Sequence, residues 1–440
     1  MTPASSSEQL ADSIAAKVNR RVLPLLMAGW FMAYIDRFNV SYAALQMNQA
    51  LGLSAAAFGL GGGLFFLGYA LFEVPSNIAL VRVGARRWLG RIMVTWGLVT
   101  VATMFTQGPA SFYGLRLLLG IAEAGCFPGM AYCLSRWLAP RHRAAALGAL
   151  AGVAMLSGIA AGPLAAGLLA LDGVWGLAGW QWLFLIEGIP AVLVGVCLWR
   201  YLPDDPASVR WLTSDERAFL QREVVADVRS HTRDSLLVVV RDRRYWTWGL
   251  AFFCAAAAGS AIVLFRPVMM RQMAGLSDTA TALLTAIPAV VGAAAAIWVG
   301  RRSTRRDERR WHSAVPMLIG SIGVGLAGVV YGVTGVLLVA AVTAIAAAGQ
   351  PALFASVSSA AKGEVNAVGI AFVNSIASLG GFAGPYVLGS MIDAGGLAVA
   401  CAVAAAVIVL GACLVLSVRT RREAAPMTAT VAAAYSHGSN

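Results

Sequence analysis

The sequence predicts an all-α, polytopic membrane protein with twelve transmembrane helices in two six-helix bundles. Three observations carry that expectation. Of the 440 residues, 59% are hydrophobic and only 12% charged, with a mean hydropathy of +0.73, whereas a soluble domain is roughly a quarter charged. Apolar runs of about 20 residues, each able to cross a hydrocarbon core of roughly 30 Å as a helix, recur from residue 22 to residue 418. A single long polar segment, 202–243, divides them six and six. A membrane barrel would instead show short segments of alternating polarity.

The expected spans are approximately 22–45, 57–81, 88–107, 111–136, 143–170, 180–201, 244–267, 279–300, 313–331, 334–356, 366–391 and 396–418. Residues 1–21 and 419–440 are then the terminal segments, 22–201 and 244–418 the two bundles, and 202–243 the linker. The first apolar run follows Arg20-Arg21 but is too long for a signal-peptide core and holds a charged pair, so it reads as a retained first span.

Charge orients the chain. When the termini and alternate loops are placed on one side, 29 of the 33 basic residues fall there, while the opposite loops hold only Arg271. The positive-inside rule therefore predicts that both termini are cytoplasmic, in the plasma membrane of a bacterium. The net charge of +12 is explained by these loops, and no nucleic-acid partner is expected. Arg37, Arg116 and Arg266 are the basic residues inside spans.

Within the linker, Thr213 and Glu216 form a T-x-x-E capping box, followed by Phe219, Leu220 and Val224 on one face. This predicts a short amphipathic helix on the cytoplasmic surface. The basic loop RVGARRWLGR after span 2 has a counterpart, RRSTRRDERR, after span 8, which points to a repeated bundle; transporters are commonly built from such repeats, with substrate held between them at the midplane. Gly158-x-x-x-Gly162-Pro163, Gly380-Gly381, Gly384-Pro385 and the GLGGG run at 59–63 read as close-packing features. The six cysteines lie in apolar runs without CxxC spacing and read as reduced packing residues. Without a Cys/His cluster, an HExxH or a phosphate-binding loop, no cofactor, metal or enzymatic activity is expected.

An ionisable residue at the centre of a span costs roughly 2.5–3.5 kcal/mol on insertion scales, so each one demands a role. Those of the first half are Asp36, Arg37, Glu73, Arg116, Glu123 and Glu187; the second half has Arg266, with Asp393 at a helix end. At a rise of about 1.5 Å per residue, Asp36 and Glu123 both approach the midplane. Arg116 and Glu123, seven residues apart, share a helix face. Asp36 and Arg37 are turned about 100° apart and cannot pair with each other. Either Asp36 meets Arg116 and leaves Arg37 for an anion, or the pairing is crossed. Glu73 and Glu187, close to Pro75 and Pro190, read as structural. All four histidines fall in loops or the tail, so carboxylates must carry any proton; sodium, the alternative coupling ion, would need several converging oxygen ligands, for which there are fewer candidates.

YIDRFNV in span 1, GYALFEVPSN with RVGARRWLGR, RLLLGIAEAGCFPG in span 4, GLAGWQWLFLIEGIPA at span 6 and GIAFVNSIASLGGFAGP in span 11 together resemble the anion:cation symporter family of the major facilitator superfamily, over nearly the whole chain. Members similar to this chain carry hydroxyphenylacetate, phthalate, tartrate, hexuronates or galactonate, mostly with protons. The resemblance implies that Asp36 and Glu123 are proton-coupling acids, that Arg37 and Arg116 serve substrate binding and coupling, and that Tyr69 and Asn374 face the central site. Two departures stand out. The span 5 glutamine of sugar-acid members is absent, with only Ser157 in AGVAMLSG, and the Phe-Trp of span 10 reads Phe354-Ala355 while span 11 has Ser378 where an asparagine is usual. An aromatic or short carboxylate is therefore favoured over a sugar acid. The expected protein is a monomeric, proton-coupled importer of a small organic anion; its rival is a proton-antiporting exporter of the same fold.

Overall fold

The computed structural model describes residues 6–206, 209–227, 238–358 and 364–418, and within them the regular structure is helical throughout. Lys362, His231, His437 and the tail with Arg419, Arg421 and Arg422 lie outside the described residues, as does the Val224 side chain.

Spans 1 to 3 are Leu23–Ala50, Ala55–Val83 and Ala85–Thr103. Span 4 is broken into Pro109–Glu123 and Cys126–Trp137, and spans 5 and 6 are Pro140–Leu169 and Gly179–Tyr201. In the second half, span 7 is Arg243–Ala274, span 8 runs through Asp278–Leu284 and Ala286–Arg306, and span 9 is Arg310–Leu326. Span 10 comprises Val333–Ile345, a tight turn and Gln350–Ser358. Spans 11 and 12 share the helical run Glu364–Ser417, interrupted at Gly396, whose φ of 81° is a left-handed conformation that glycine adopts without Cβ strain. Eight runs are long and apolar enough to cross a membrane, the one at Val368–Ser417 covering two spans. Spans 1, 3 and 9, which are shorter or more polar, complete the twelve.

Local chemistry explains the helix starts. Ser54 and Ser277 accept hydrogen bonds from the backbone N–H groups of Ala57 and Ala280, each at 3.2 Å, and so cap spans 2 and 8. Pro109 and Pro140 open spans 4 and 5, where the missing N–H costs nothing.

The arginine-rich face carries two further helices. The one in the linker, Ser214–Asp227, begins at the expected capping box: Thr213 N–H donates to Glu216 Oε2 at 2.8 Å, and Glu216 N–H donates to Thr213 Oγ1 at 3.3 Å. The other, Ser6–Arg21, lies in what the sequence reading treated only as a terminal segment. Its Ile14 and Val18, four residues apart, are buried on one face. Ser13 and Lys17 both donate to Glu216, at 2.7 Å and 2.7–2.8 Å, and fasten the two helices together. Burial opposes ionisation of Glu216, but the bonds from Lys17, Ser13 and the Thr213 N–H outweigh it and hold the carboxyl down at about 2.

The halves touch at the opposite end of the molecule. Tyr42 of span 1 hydrogen-bonds Thr285 of span 8 at 2.8 Å. Asp393 at the end of span 11 accepts from the N–H groups of Ala55 and Ala56 at 3.1 and 2.8 Å, so its charge sits on the positive terminus of span 2. Arg271 pairs with Asp278 at 2.9 Å and donates to the Leu45 carbonyl. The glycine run lets the backbones meet here: a Cβ on Gly59 would stand 2.2 Å from the Pro385 carbonyl oxygen, and one on Gly63 would stand 2.3 Å from that of Phe382. Gly162 meets Ala282, and Gly384 meets the Ala257 carbonyl of span 7, in the same way. All six cysteines are free.

Candidate functional site

Spans 2 and 4 approach so closely that a Cβ on Gly120 would fall 2.1 Å from the Phe65 carbonyl oxygen, and one on Gly68 would fall 2.5 Å from that of Leu117. Small residues thus bring Phe65 and Tyr69 of span 2 against Arg116 and Glu123 of span 4. Immediately after Glu123, span 4 breaks. Ala124 turns extended (φ −54°, ψ 131°) and Gly125 adopts φ 84°, where a side chain would be strained and would also strike Ser76. Ser76 donates to the freed Ala124 carbonyl at 2.6 Å, and Trp88 Nε1 donates to Ser76 at 3.0 Å, so the break is satisfied from spans 2 and 3.

The break leaves Glu123 at the C-terminal end of a helix, where the partial charge is negative and a carboxylate is unfavourable without a cation. Arg37 supplies it. Its Nε and Nη2 both donate to Glu123 Oε1, at 3.0 and 2.6 Å, while Glu123 Oε2 is buried without a partner. The Arg37 guanidinium also stands 5.4–5.9 Å from the ring centroids of Trp30, Tyr34, Phe65 and Tyr69, an aromatic cage that stabilises a cation by roughly 0.5–2 kcal/mol per good contact. The sequence left the partner of Arg37 open, because the break that turns Glu123 toward span 1 has no signal except the glycine in EAG.

Asp36 faces the other way, as the helical turn requires. Its Oδ1 accepts from Asn39 Nδ2 at 3.0 Å and from Thr100 Oγ1 of span 3 at 2.7 Å, and the side chain is 3% exposed. Arg116 lies within electrostatic reach of both Asp36 and Glu123. It makes no hydrogen bond or ion pair among the described residues: 4% exposed, it stands 5.0 Å over the Phe65 ring with its Nε unsatisfied.

Asn374 is not brought to this cluster. Its side chain is exposed, and its carbonyl accepts from Ser378 Oγ at 3.0 Å within span 11. Gly381, two turns along the same face, does contact span 2 at Phe66. Ser157 donates to the Val153 carbonyl at 2.9 Å and is fully buried, so its hydroxyl is occupied by its own helix. Asn39, Thr100 and Phe65 were missed by the sequence reading. Asn39 had a signal, since D-x-x-N places amide and carboxylate on one helix face; Thr100 had none. Among the described residues no group of three or more His, Cys, Asp or Glu side chains could hold a metal.

A helical protein with many apolar spans and a cluster of buried charges among spans 1 to 4 is, as a class, a polytopic membrane protein with a polar centre inside its first bundle. Residues 26–385 match the model of the Major Facilitator Superfamily. The chain belongs to that superfamily and is a membrane transporter. It is 38% identical to an Agrobacterium vitis protein named "Putative tartrate transporter", over 89% of this chain and 90% of that protein. It is 37% identical to the quinolone resistance transporter of Acinetobacter baumannii, over 84% of this chain and 87% of the relative. Among solved structures, a bacterial homologue of the human lysosomal transporter Spinster, inward-facing and unoccupied, superposes with a TM-score of 0.74 at 20% identity, covering 92% of this chain and 95% of that one. That likeness concerns the fold alone.

Proposed function

We propose that the protein is a proton-coupled symporter that imports a small organic anion by alternating access of the bundles 22–201 and 244–418, joined by the linker 202–243, with both termini cytoplasmic and the working unit a monomer. The observation that carries this reading is Arg116: a guanidinium buried without a hydrogen-bonding partner. An uncompensated buried charge costs several kcal/mol, which an arriving carboxylate relieves. A planar fork of N–H donors matches that group in particular.

Arg37 and Arg116 stand over the same Phe65 ring, at 5.7 and 5.0 Å. In the resting pair Arg37 is held by Glu123. A proton on Glu123 removes the charge that holds it, and Arg37 becomes available to the anion beside Tyr69. Proton and anion thereby favour each other's binding, which is the requirement for symport. Asp36, on the far side of span 1, is the second proton site, and Asn374 is the contact that the second bundle brings when the gap closes. Both carboxylates of a short dicarboxylic acid would be met by the two guanidiniums, which agrees with the name of the Agrobacterium vitis relative.

The contacts between the halves, from Tyr42–Thr285 to Asp393 on span 2, close the end away from the arginine-rich loops. With positive-inside orientation this is an inward-open state, from which the anion leaves to the cytoplasm. A second reading, export by proton antiport, is favoured by the quinolone resistance transporter among the relatives. A thermal-shift screen of the purified protein against tartrate, phthalate, hydroxyphenylacetate and quinolones separates the substrate classes, because a ligand that binds the folded state raises its stability. Carboxylates that stabilise the wild type and not Arg116→Gln support the proposal; stabilisation by quinolones alone supports export.

A further inference from the structure

On the arginine-rich face, a cavity of about 650 Å³ opens where the terminal helix, the start of span 3, the end of span 6 and the linker meet. Arg21, Arg86, Arg200 and Arg210 line it, and Asp204 is the one acid among its lining residues. That acid is already engaged. Its Oδ1 accepts from the Arg86 backbone N–H at 3.0 Å, in the first turn of span 3, and its Oδ2 lies 3.4 Å from Arg86 Nε. The neighbouring acids are occupied elsewhere: Asp205 pairs with Arg136 at 3.8 Å, and Glu216 with Lys17 at 2.7 Å.

Three guanidiniums are left over. Arg21 stands 5.4 Å over the ring of Trp211, which stacks in turn on the buried Trp137, so the linker holds this arginine in the cavity wall. Arg200 lies 5.5 Å from the ring of Tyr201 at the end of span 6, and Arg210 enters from the linker. Arg21, Arg200 and Arg210 make no hydrogen bond or ion pair among the described residues. Like charges around one cavity repel each other. An anion with several oxygens between them relieves that repulsion and accepts their N–H groups, which is what a phosphate offers.

The last turns of span 6 indicate what carries the phosphate. Leu193, Val196 and Trp199, spaced three apart, are all exposed, and Tyr201 is exposed at the rim of the cavity. An apolar stripe therefore climbs the spanning helix to Arg200. Acyl chains cover such a stripe in a bilayer, and tryptophan and tyrosine at its end sit at headgroup level. A soluble phosphate would meet the arginines but leave the stripe unused.

We propose that this cavity binds the phosphate group of an anionic phospholipid from the leaflet on the arginine-rich side. Arg21, Arg200 and Arg210 are the donors that grip it, and its acyl chains run along Leu193 and Val196. The headgroup ties the terminal helix and the linker to the ends of spans 3 and 6. The site is separate from the charged cluster of spans 1, 2 and 4, and it requires nothing of the direction or coupling of transport.

Native mass spectrometry of the full chain, released from detergent with an equimolar mixture of phosphatidylglycerol and phosphatidylcholine, tests it. One phosphatidylglycerol is expected to stay bound in preference. Arg21→Gln, Arg200→Gln and Arg210→Gln combined should weaken its binding by about 10- to 100-fold. Arg301→Gln, Arg305→Gln and Arg306→Gln combined remove the same charge from another exposed loop and should leave it in place. No preference in the wild type, a preference that survives the first triple variant, or equal loss in both variants overturns the site, and the wild-type selectivity is readable even if a variant fails to fold. Displacement of phosphatidylglycerol by an equal concentration of inorganic phosphate overturns the lipid as occupant and gives the cavity to a soluble phosphate.

Discussion

Arg37 meets Glu123 through one carboxylate oxygen only, both donors converging on Oε1 at 3.0 and 2.6 Å while Oε2 stays buried and unpaired. A pair built this way is held by charge more than by a full set of hydrogen bonds, and a single proton suffices to loosen it. Glu123→Gln should therefore leave Arg37 free at every pH. Substrate affinity is expected to rise at neutral pH and to lose its dependence on pH, measured by titration calorimetry between pH 5.5 and 8. Unaltered pH dependence would assign the proton elsewhere.

Arg116 should be the residue without which the anion does not bind. A charge-assisted hydrogen bond is worth about 1.5–3 kcal/mol, so Arg116→Gln is expected to weaken binding by about 10- to 150-fold. Arg116→Lys keeps the charge but not the planar fork and should recover only part of it. Equal affinity in Arg116→Gln and wild type, read by the same calorimetry, would remove Arg116 from the site.

Gly120 should tolerate no side chain. A Cβ there would lie 2.1 Å from the Phe65 carbonyl oxygen, and backbone cannot swing aside as a flexible side chain can. Gly120→Val is expected to cost at least the roughly 1–3 kcal/mol of an overpacked core and to displace Phe65 from between the two guanidiniums. A lowered thermal midpoint together with weakened anion binding is the expected pair of results.

The helix Ser6–Arg21 should detach in acid. Glu216 is 3% exposed and is held down at about 2 by its bonds to Lys17, Ser13 and the Thr213 N–H. A carboxyl depressed in the folded state gives its full contribution above its ordinary value of 4.5, and that contribution is lost as the pH falls toward about 2. Hydrogen exchange in residues 6–21 is expected to accelerate over that window, and in Glu216→Gln it should already be fast at neutral pH.

Much of the fold was legible because the bilayer imposes a simple rule: twenty apolar residues per crossing, with arginines kept to one side. Leu23–Ala50 was found in spite of Asp36 and Arg37 for that reason. What the sequence did not disclose depends on breaks and on contacts between distant residues. Gly125 turns span 4 just after Glu123, which gives Arg37 that carboxylate as its partner. Asp36 is satisfied by Thr100, 64 residues away, which no local pattern announces. The terminal helix is explained by its Ile14 and Val18 spacing, visible in retrospect, but its docking needed Glu216 from the linker. Asn374, which the resemblance placed at the central site, has an exposed side chain and is not brought to the charged cluster.

The central claim is that proton and organic anion move together through Arg37, Glu123 and Arg116. Its most direct test is uptake of a carboxylate chosen by the thermal-shift screen into proteoliposomes under an imposed inward proton gradient. Wild-type protein is expected to accumulate the anion, and Glu123→Gln to exchange it across the membrane without accumulation. Inhibition of wild-type uptake by the gradient, or full gradient-driven accumulation by Glu123→Gln, would contradict the account.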